Sequence, residues 1–211
     1  MGSEMGLRER KRQQTYQAVS ETAIALFLER GFDKVSVAEV AAAAGISKPT
    51  LFRYFPAKED LVLHRFADHE DEAARVVAAG RAEGVAPLPA LHAHFRAGLE
   101  RRDPVTGLCD NPHVRAYYGL LYGTPSLVAR LYGYQERSEG ALAAELGGGL
   151  GARIAAGQII AVRRILAEEN WRRIEAGESE RALYGESLAA ADQAFAQLAE
   201  GLGAAYGGAR R

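Results

Sequence analysis

The stretch from Gly45 to Leu61, GISKPTLFRYFPAKEDL, places cations, hydroxyl groups and aromatic rings within one short length of chain. Lys48 and Arg53 are able to bind phosphate oxygens or the edges of guanine bases. Thr50 offers a hydroxyl group that can hydrogen-bond to a base and a methyl group that can contact the methyl group of thymine. Residues of these types on one surface indicate contact with a nucleic acid.

The helices that would position these side chains have clear start signals. Ser36 and Glu39 fit a capping box, in which each side chain accepts a hydrogen bond from the backbone amide of the other residue. Gly45 ends this short helix, and Ser47 provides a second N-cap. Pro49 then lies at the second position of the next helix, where proline is tolerated because the backbone N–H there has no intrahelical partner.

Two short helices joined by a glycine-containing turn form a helix-turn-helix, whose second helix enters the major groove of DNA. Leu51 and Phe55 are predicted to face the core, and Pro56 ends the second helix. The other side chains of this helix are left on or beside its exposed face. Together with the starts of the neighbouring helices, the candidate DNA contacts are Ser36, Val37, Ser47, Lys48, Pro49, Thr50, Phe52, Arg53, Tyr54 and Lys58.

Composition and periodicity predict an all-α chain. Alanine, leucine, arginine and glutamate dominate, which favours helix, and no long run alternates apolar and polar residues. About nine helices are expected. The first covers 8–30, the fourth runs from about 58 to 79, and the last two cover about 152–176 and 179–206.

Bulk properties exclude several classes of protein. The 211 residues are 48% hydrophobic and 25% charged, as in soluble globular proteins. The only cysteine, Cys109, rules out an intramolecular disulfide bond and fits a cytoplasmic location. No apolar run approaches the roughly 20 residues of a membrane span, and the charged N-terminus predicts no secretion signal. The net charge of -1 does not by itself indicate a nucleic-acid partner.

Catalytic and metal sites are not predicted. The sequence contains no phosphate loop, nucleophile elbow or paired-carboxylate motif. His92 and His94 are two residues apart and would lie on different faces of a helix, and HEDE at 69–72 fits a solvated helix face. We therefore expect no enzyme activity, no metal ion and no cofactor. A helical-bundle enzyme with an incidental helix-turn-helix is the less favoured alternative.

Residues 23–61, AIALFLERGFDKVSVAEVAAAAGISKPTLFRYFPAKEDL, resemble the TetR family of transcriptional regulators. The order of an apolar helix, Gly-Phe, a capped short helix, A-A-G-I-S, T-L-F-R-Y-F and K-E-D-L is specific. The resemblance implies a DNA-binding domain over 1–56 and a helical ligand-binding and dimerisation domain over 57–211. It implies a homodimer that binds a pseudo-palindromic operator in double-stranded DNA. The family's DNA contacts map onto the candidates above, except Ser47 and Arg53.

Two positions depart from the family pattern. Position 52 is often tyrosine and is Phe52 here, so a phosphate contact through that hydroxyl group is lost. Position 57 is often a serine or asparagine cap and is Ala57 here. Loss of the cap should destabilise the fourth helix by ~1 kcal/mol.

The candidate effector site lies in the C-terminal half and is aromatic and apolar. Several of its members fall on one predicted helix, and the others could face that helix. The candidates are Phe95, Leu99, Tyr117, Tyr118, Leu121, Tyr122 and Trp171. Packing in the core is the alternative interpretation of each residue. A pocket of this composition would suit an apolar ligand with some polar group.

The last two helices carry broad apolar faces, and the resemblance implies that they form the dimer interface. Completion of the monomer core is the alternative role of these faces. The sequence thus predicts a homodimeric repressor, released from its operator by a small apolar or amphipathic molecule of unknown identity. An activator, or a ligand-independent DNA binder of the same fold, is the alternative.

Overall fold

The computed structural model describes residues 7–67 and 69–207, and its regular secondary structure is entirely helical. The α-helices are α1 (Leu7–Arg30), α2 (Val37–Ala43), α3 (Lys48–Tyr54), α4 (Asp60–Ala67), α5 (Glu72–Ala82), α6 (Pro87–Glu100), α7 (Pro112–Gly123), α8 (Pro125–Glu145), α9 (Gly149–Glu175), α10 (Glu180–Leu202) and α11 (Ala204–Gly207). A turn of 3-10 helix, Pro104–Thr106, lies between α6 and α7. The predicted all-α class is confirmed. No helix in the described ranges is long and apolar enough to span a membrane.

The chain divides into two compact units. The first contains Met1–Ala67 and Ala116–Leu131, and the second contains Asp68–Arg115 and Tyr132–Arg211. Each unit is therefore built from two separate stretches of sequence. The predicted functional boundary after residue 56 stays a prediction.

The fourth predicted helix is divided in two, because α4 ends at Ala67 and α5 begins at Glu72. Two carboxylates next to the break pair with arginines that are distant in sequence. Glu70 accepts a hydrogen bond from Arg137 at 2.9 Å, and Glu72 accepts one from Arg163 at 3.1 Å. The prediction of one continuous helix here was wrong, and periodicity carries no signal for pairs between residues so far apart in sequence.

The first unit is built around apolar residues of α1 to α4. Phe27 of α1, Val40 of α2, Leu51 of α3 and Leu61 of α4 are all buried. The Ser20 hydroxyl group donates a hydrogen bond to the Leu61 carbonyl at 2.7 Å, which ties α1 to α4. Burial of this inner face fixes which side of α3 remains exposed.

The segment 116–131 completes the first unit through polar contacts with α4. The Tyr117 hydroxyl group donates to the Val62 carbonyl at 2.9 Å. Arg130 forms a two-bond ion pair with Asp60, with N···O distances of 2.9 and 3.0 Å. Asp60 also accepts the backbone N–H of Ala57 at 3.0 Å. The Asp60 carboxylate thus supplies the reciprocal half of a capping box, while Ala57 has no side-chain oxygen to accept a helix amide. Helix α4 begins two residues later than predicted.

The second unit packs α5, α6, α9 and α10 around a core that includes Leu91, Phe95, Leu99, Ile159 and Phe195. A polar network crosses this unit. Asn170 of α9 donates to the carbonyl of Thr106 at 2.9 Å and accepts from the hydroxyl group of Ser187 of α10 at 2.8 Å. This network holds the loop that follows α6 against α9.

Candidate nucleic-acid interface

The start of α2 has the capping-box geometry that the sequence predicts. The Glu39 amide donates to the Ser36 hydroxyl oxygen at 3.2 Å, and the Ser36 amide donates to the Glu39 carboxylate at 2.8 Å. Arg30 of α1 donates to the same carboxylate at 2.7 Å. These hydrogen bonds, first that from the Ser36 amide and then that from Arg30, lower the pKa of Glu39 to about 2.

Replacing Glu39 with glutamine should make the free energy of unfolding change less with pH in the acidic range. The folded pKa of about 2 lies below the ordinary value of 4.5, so the ionised carboxylate stabilises the fold above pH 4.5. This contribution is lost as the pH falls from 4.5 towards 2. Urea midpoints of the wild type and of Glu39→Gln, measured at pH 7, 4 and 2.5, should therefore converge at low pH. A gap that stays constant over this range would contradict the assignment.

The start of α3 is organised by Ser47, as predicted. Its hydroxyl oxygen accepts the Thr50 amide at 3.2 Å, and the two side-chain oxygens of Ser47 and Thr50 are 2.8 Å apart. Pro49 occupies the first turn, after the N-cap. The proline therefore helps to begin α3 and does not interrupt a helix.

The buried and exposed sides of α3 separate as the sequence predicts. Leu51 and Phe55 are fully buried. Among the ten candidate DNA contacts, the exposed ones are Ser36, Ser47, Lys48, Pro49, Phe52 and Arg53, and the half-buried ones are Val37, Thr50, Tyr54 and Lys58. Every candidate thus retains some exposed surface, and α3 presents cations and rings on its outer side.

Aromatic rings lie beside both cations of α3. The Lys48 ammonium group is 5.9 Å from the centre of the Phe52 ring, and the Arg53 guanidinium is 5.6 Å from the centre of the Tyr54 ring. Phe52 is 40% exposed, which is unusual for phenylalanine. The outer surface of α3 is therefore both basic and apolar.

Lys58 makes contacts within the protein that the sequence did not predict. It precedes α4 by two residues, and its ammonium group donates to the Phe32 carbonyl at 2.5 Å. The same group lies 4.3 Å from the centre of the Phe32 ring and 5.4 Å from that of Phe27. Lys58 therefore holds the end of α1 to the turn before α4. An ammonium group has three donors, so a phosphate contact stays a prediction.

The seven candidate effector residues fall in both units. Tyr117, Tyr118, Leu121 and Tyr122 belong to the first unit, and Phe95, Leu99 and Trp171 belong to the second. All are buried except Tyr122 and Trp171, which are half-buried. Phe95 and Leu99 pack in the core of the second unit. The effector site stays a prediction.

The acidic stretch 69–72 is not wholly a solvated face, because the Glu72 side chain is only 19% exposed. Burial alone would raise the pKa of Glu72, but a hydrogen bond with His69 and the charge of Arg163 outweigh it and lower the pKa to about 2. Burial also lowers the pKa of His94, whose charge interacts with that of Glu72. The sequence carries no signal for the Glu72–Arg163 pair, which spans 91 positions. Within 7–67 and 69–207, no group of three metal-ligating side chains could hold a metal ion.

The buried inner face and basic outer face of the α2–α3 pair define a helix-turn-helix protein. Residues 20–64 match the sequence profile of bacterial regulatory proteins of the tetR family. The HTH-type transcriptional regulator TcmR of Streptomyces glaucescens is 34% identical over 139 residues, which are 65% of this chain and 61% of TcmR. The chain thus spans about three fifths of TcmR, and the profile, TcmR and the solved structures all support the TetR family.

Solved structures share the fold. NalD, the secondary repressor of the MexAB-OprM multidrug efflux pump in Pseudomonas aeruginosa, aligns with a TM-score of 0.56 at 16% identity, over 86% of this chain and 96% of NalD. FadR of Thermus thermophilus, a TetR-family transcriptional repressor in complex with lauroyl-CoA, aligns with a TM-score of 0.50 at 19% identity, over 93% of this chain and 96% of FadR. Because the two alignments cover 86% and 93% of this chain, the shared fold extends well beyond residues 45–61.

Proposed function

We propose that this protein is a cytoplasmic transcriptional regulator that binds double-stranded DNA through α2 and α3. The exposed face of α3 is the main support for this proposal. Its exposed residues include Lys48, Phe52 and Arg53, and the helix begins at a capped N-terminus. In this arrangement α3 enters the major groove and α2 crosses the phosphate backbone. Ser36 and Val37, at the start of α2, are then placed for backbone contacts.

Alanine at Lys48 or Arg53 should weaken DNA binding roughly tenfold or more, the effect expected for a lost charged hydrogen bond. If the lost contact is to a phosphate, the slope of log K against log salt should fall by about 0.9 for each contact. Fluorescence anisotropy at several salt concentrations measures both quantities. Arg75→Ala is a matched control, because Arg75 is an exposed arginine on α5 that pairs with Asp71. Equal effects of the three variants would contradict the placement of α3.

The protein acts as a homodimer through α9 and α10. Leu150, Ile154 and Ile165 of α9 are 72%, 51% and 54% exposed, although they are large apolar side chains. On α10, Ala182 and Gly185 are exposed small residues that permit close approach of a second helix. Other apolar residues of these helices, such as Phe195, pack in the core of the second unit. We therefore propose both roles for these helices, on different faces.

Repression relieved by a small molecule is the mode of regulation that we propose. FadR of Thermus thermophilus is a repressor with a bound acyl-CoA, which supports an apolar or amphipathic effector here. The effector would favour a dimer conformation whose two recognition helices no longer match the operator spacing. Deletion of the gene should then raise expression from the target promoter. A fall in expression would instead identify an activator.

Selection of bound sequences from random duplex DNA tests the proposed function. The purified protein is incubated with the pool at two salt concentrations, and the enriched DNA is sequenced. An inverted repeat would support a symmetric dimer that reads sequence, since dimers place two recognition helices on related half-sites. If no motif is enriched and binding is lost at the higher salt, the protein binds only to the phosphate backbone without regard to sequence. That result would contradict the proposal.

A further inference from the structure

The N-terminal part of α1 carries a concentration of positive charge. Residues 7–15, LRERKRQQT, contain three arginines and one lysine against one glutamate, a net charge of +3, whereas the whole chain has a net charge of -1. Arg10 and Arg12 are exposed, and so are Gln13 and Gln14. This segment therefore presents cations and amide groups to solvent.

The basic segment 7–15 extends beyond the packed part of α1. Among the residues of α1 whose burial is described, the first buried one is Val19. The Tyr16 ring stacks on the ring of Phe55 with centres 4.3 Å apart and meets the ring of Tyr54 edge-on at 5.9 Å. Tyr54 is the last residue of α3. Nine helical residues rise about 13 Å, so the segment leaves the core of the first unit beside the C-terminal end of α3.

The stability of α1 does not account for these cations. The N-terminal end of a helix has a partial positive charge, so acidic residues stabilise the first turn and basic residues oppose it. Four other helices follow this rule. Their first turns contain Glu39 (α2), Asp60 (α4), Glu72 (α5) and Glu180 (α10). In α1 the first turns instead carry net positive charge, which an anionic partner would offset.

We infer that the segment 7–15 is a second contact with DNA, in which Arg10 and Arg12 bind backbone phosphates that flank the base pairs read by α3. Duplex DNA carries one negative charge for about every 1.7 Å of its axis, and it is the polyanion that the neighbouring α3 is proposed to bind. A phosphate contact positions the protein and carries no direct sequence information. The inference rests on the proposed DNA-binding function and enlarges the footprint of that function.

Operator duplexes of two lengths test the inference. The short duplex ends at the outermost selected base pair of each half-site, and the long duplex adds unrelated sequence at both ends. Fluorescence anisotropy at several salt concentrations measures the affinity of the wild type and of the double variant Arg10→Gln with Arg12→Gln. The double variant should bind the long duplex roughly tenfold or more weakly than the wild type and show a much smaller loss on the short one. On the long duplex, its slope of log K against log salt should fall by about 0.9 for each lost phosphate contact.

Stability measurements and a control variant separate this role from a structural one. Glutamine has a helix propensity close to that of arginine, so the urea midpoint of the double variant should not fall. Arg75→Gln removes an exposed arginine from the second unit and should leave affinity for both duplexes unchanged. Equal affinities of the double variant and the wild type for the long duplex would overturn the inference, while a loss in Arg53→Ala would leave the proposed function standing. A lower urea midpoint with equal losses on both duplexes would show a structural role and would also overturn it.

Selection from random DNA with the double variant distinguishes phosphate contact from base contact. The double variant should enrich the same motif as the wild type, because phosphates carry no direct sequence information. A motif that loses preferred base pairs outside the half-sites would show that the segment reads bases in an adjacent minor groove. That outcome would overturn the assignment of Arg10 and Arg12 to phosphates.

Discussion

Gly107→Ala is expected to destabilise the protein by about 2 to 5 kcal/mol, the sum of a strained backbone conformation and an overpacked contact. Gly107 has a φ angle of 72°, and a Cβ atom there would lie 1.9 Å from the backbone carbonyl oxygen of Ala167 in α9. Backbone atoms cannot move aside as a flexible side chain can. Relief of the clash would separate the loop from α9 and break the Asn170–Thr106 hydrogen bond.

Gly84→Ala is the matched control for this prediction. Gly84 has a φ angle of 74°, and a Cβ atom there would meet no heavy atom within 4 Å. The same backbone penalty, about 1 kcal/mol, should therefore be seen without the steric contribution. Urea unfolding of the three proteins gives both free-energy differences. Equal losses for the two glycine variants would show that the approach of Gly107 to α9 is not rigid.

Arg130→Met should destabilise the first unit by roughly 2 to 3 kcal/mol, less than for a fully buried pair because the Arg130 side chain is 43% exposed. The Asp60 side chain is only 4% exposed, so the variant leaves a buried carboxylate without its two guanidinium donors. Asp60→Asn should be milder, since the half-exposed guanidinium group of Arg130 can reach water. Urea unfolding measures both variants.

The double variant Asp60→Asn with Arg130→Met completes this comparison. It removes both charges and should recover part of the loss seen in Arg130→Met, because no buried carboxylate remains. Losses that simply add would show that the two residues act independently. DNA affinity of the folded variants would then report whether this ion pair also supports the position of α4.

Local signals account for the helix caps of α2 and α3, which the sequence predicted correctly. Ser36 and Glu39 are three residues apart, and the Ser47 cap lies two residues before Pro49. Each of these N-caps accepts a hydrogen bond from a backbone amide of its own first turn, so no distant residue is needed. The inward positions of Leu51 and Phe55 follow from the same short helix.

Long-range pairing accounts for what the sequence could not show. The break between α4 and α5 accompanies pairing of Glu72 with Arg163, which lies 91 positions away. Lys58 stays a predicted phosphate contact, but its neighbours in sequence did not show that its ammonium group also donates to the Phe32 carbonyl, 26 positions earlier. Periodicity describes one element at a time and is silent on such partners.

The discontinuous first unit has a consequence for folding during synthesis. Its contacts Tyr117–Val62 and Arg130–Asp60 join residues 55 and 70 positions apart. The segment that ends at Ala67 therefore leaves the ribosome before its packing partners exist, and at about 5–20 residues per second it waits several seconds for Leu131. The surface of α4 that later contacts Tyr117 and Arg130 is open to chaperones during this interval. Completion of the first unit therefore depends on translation of the middle of the chain.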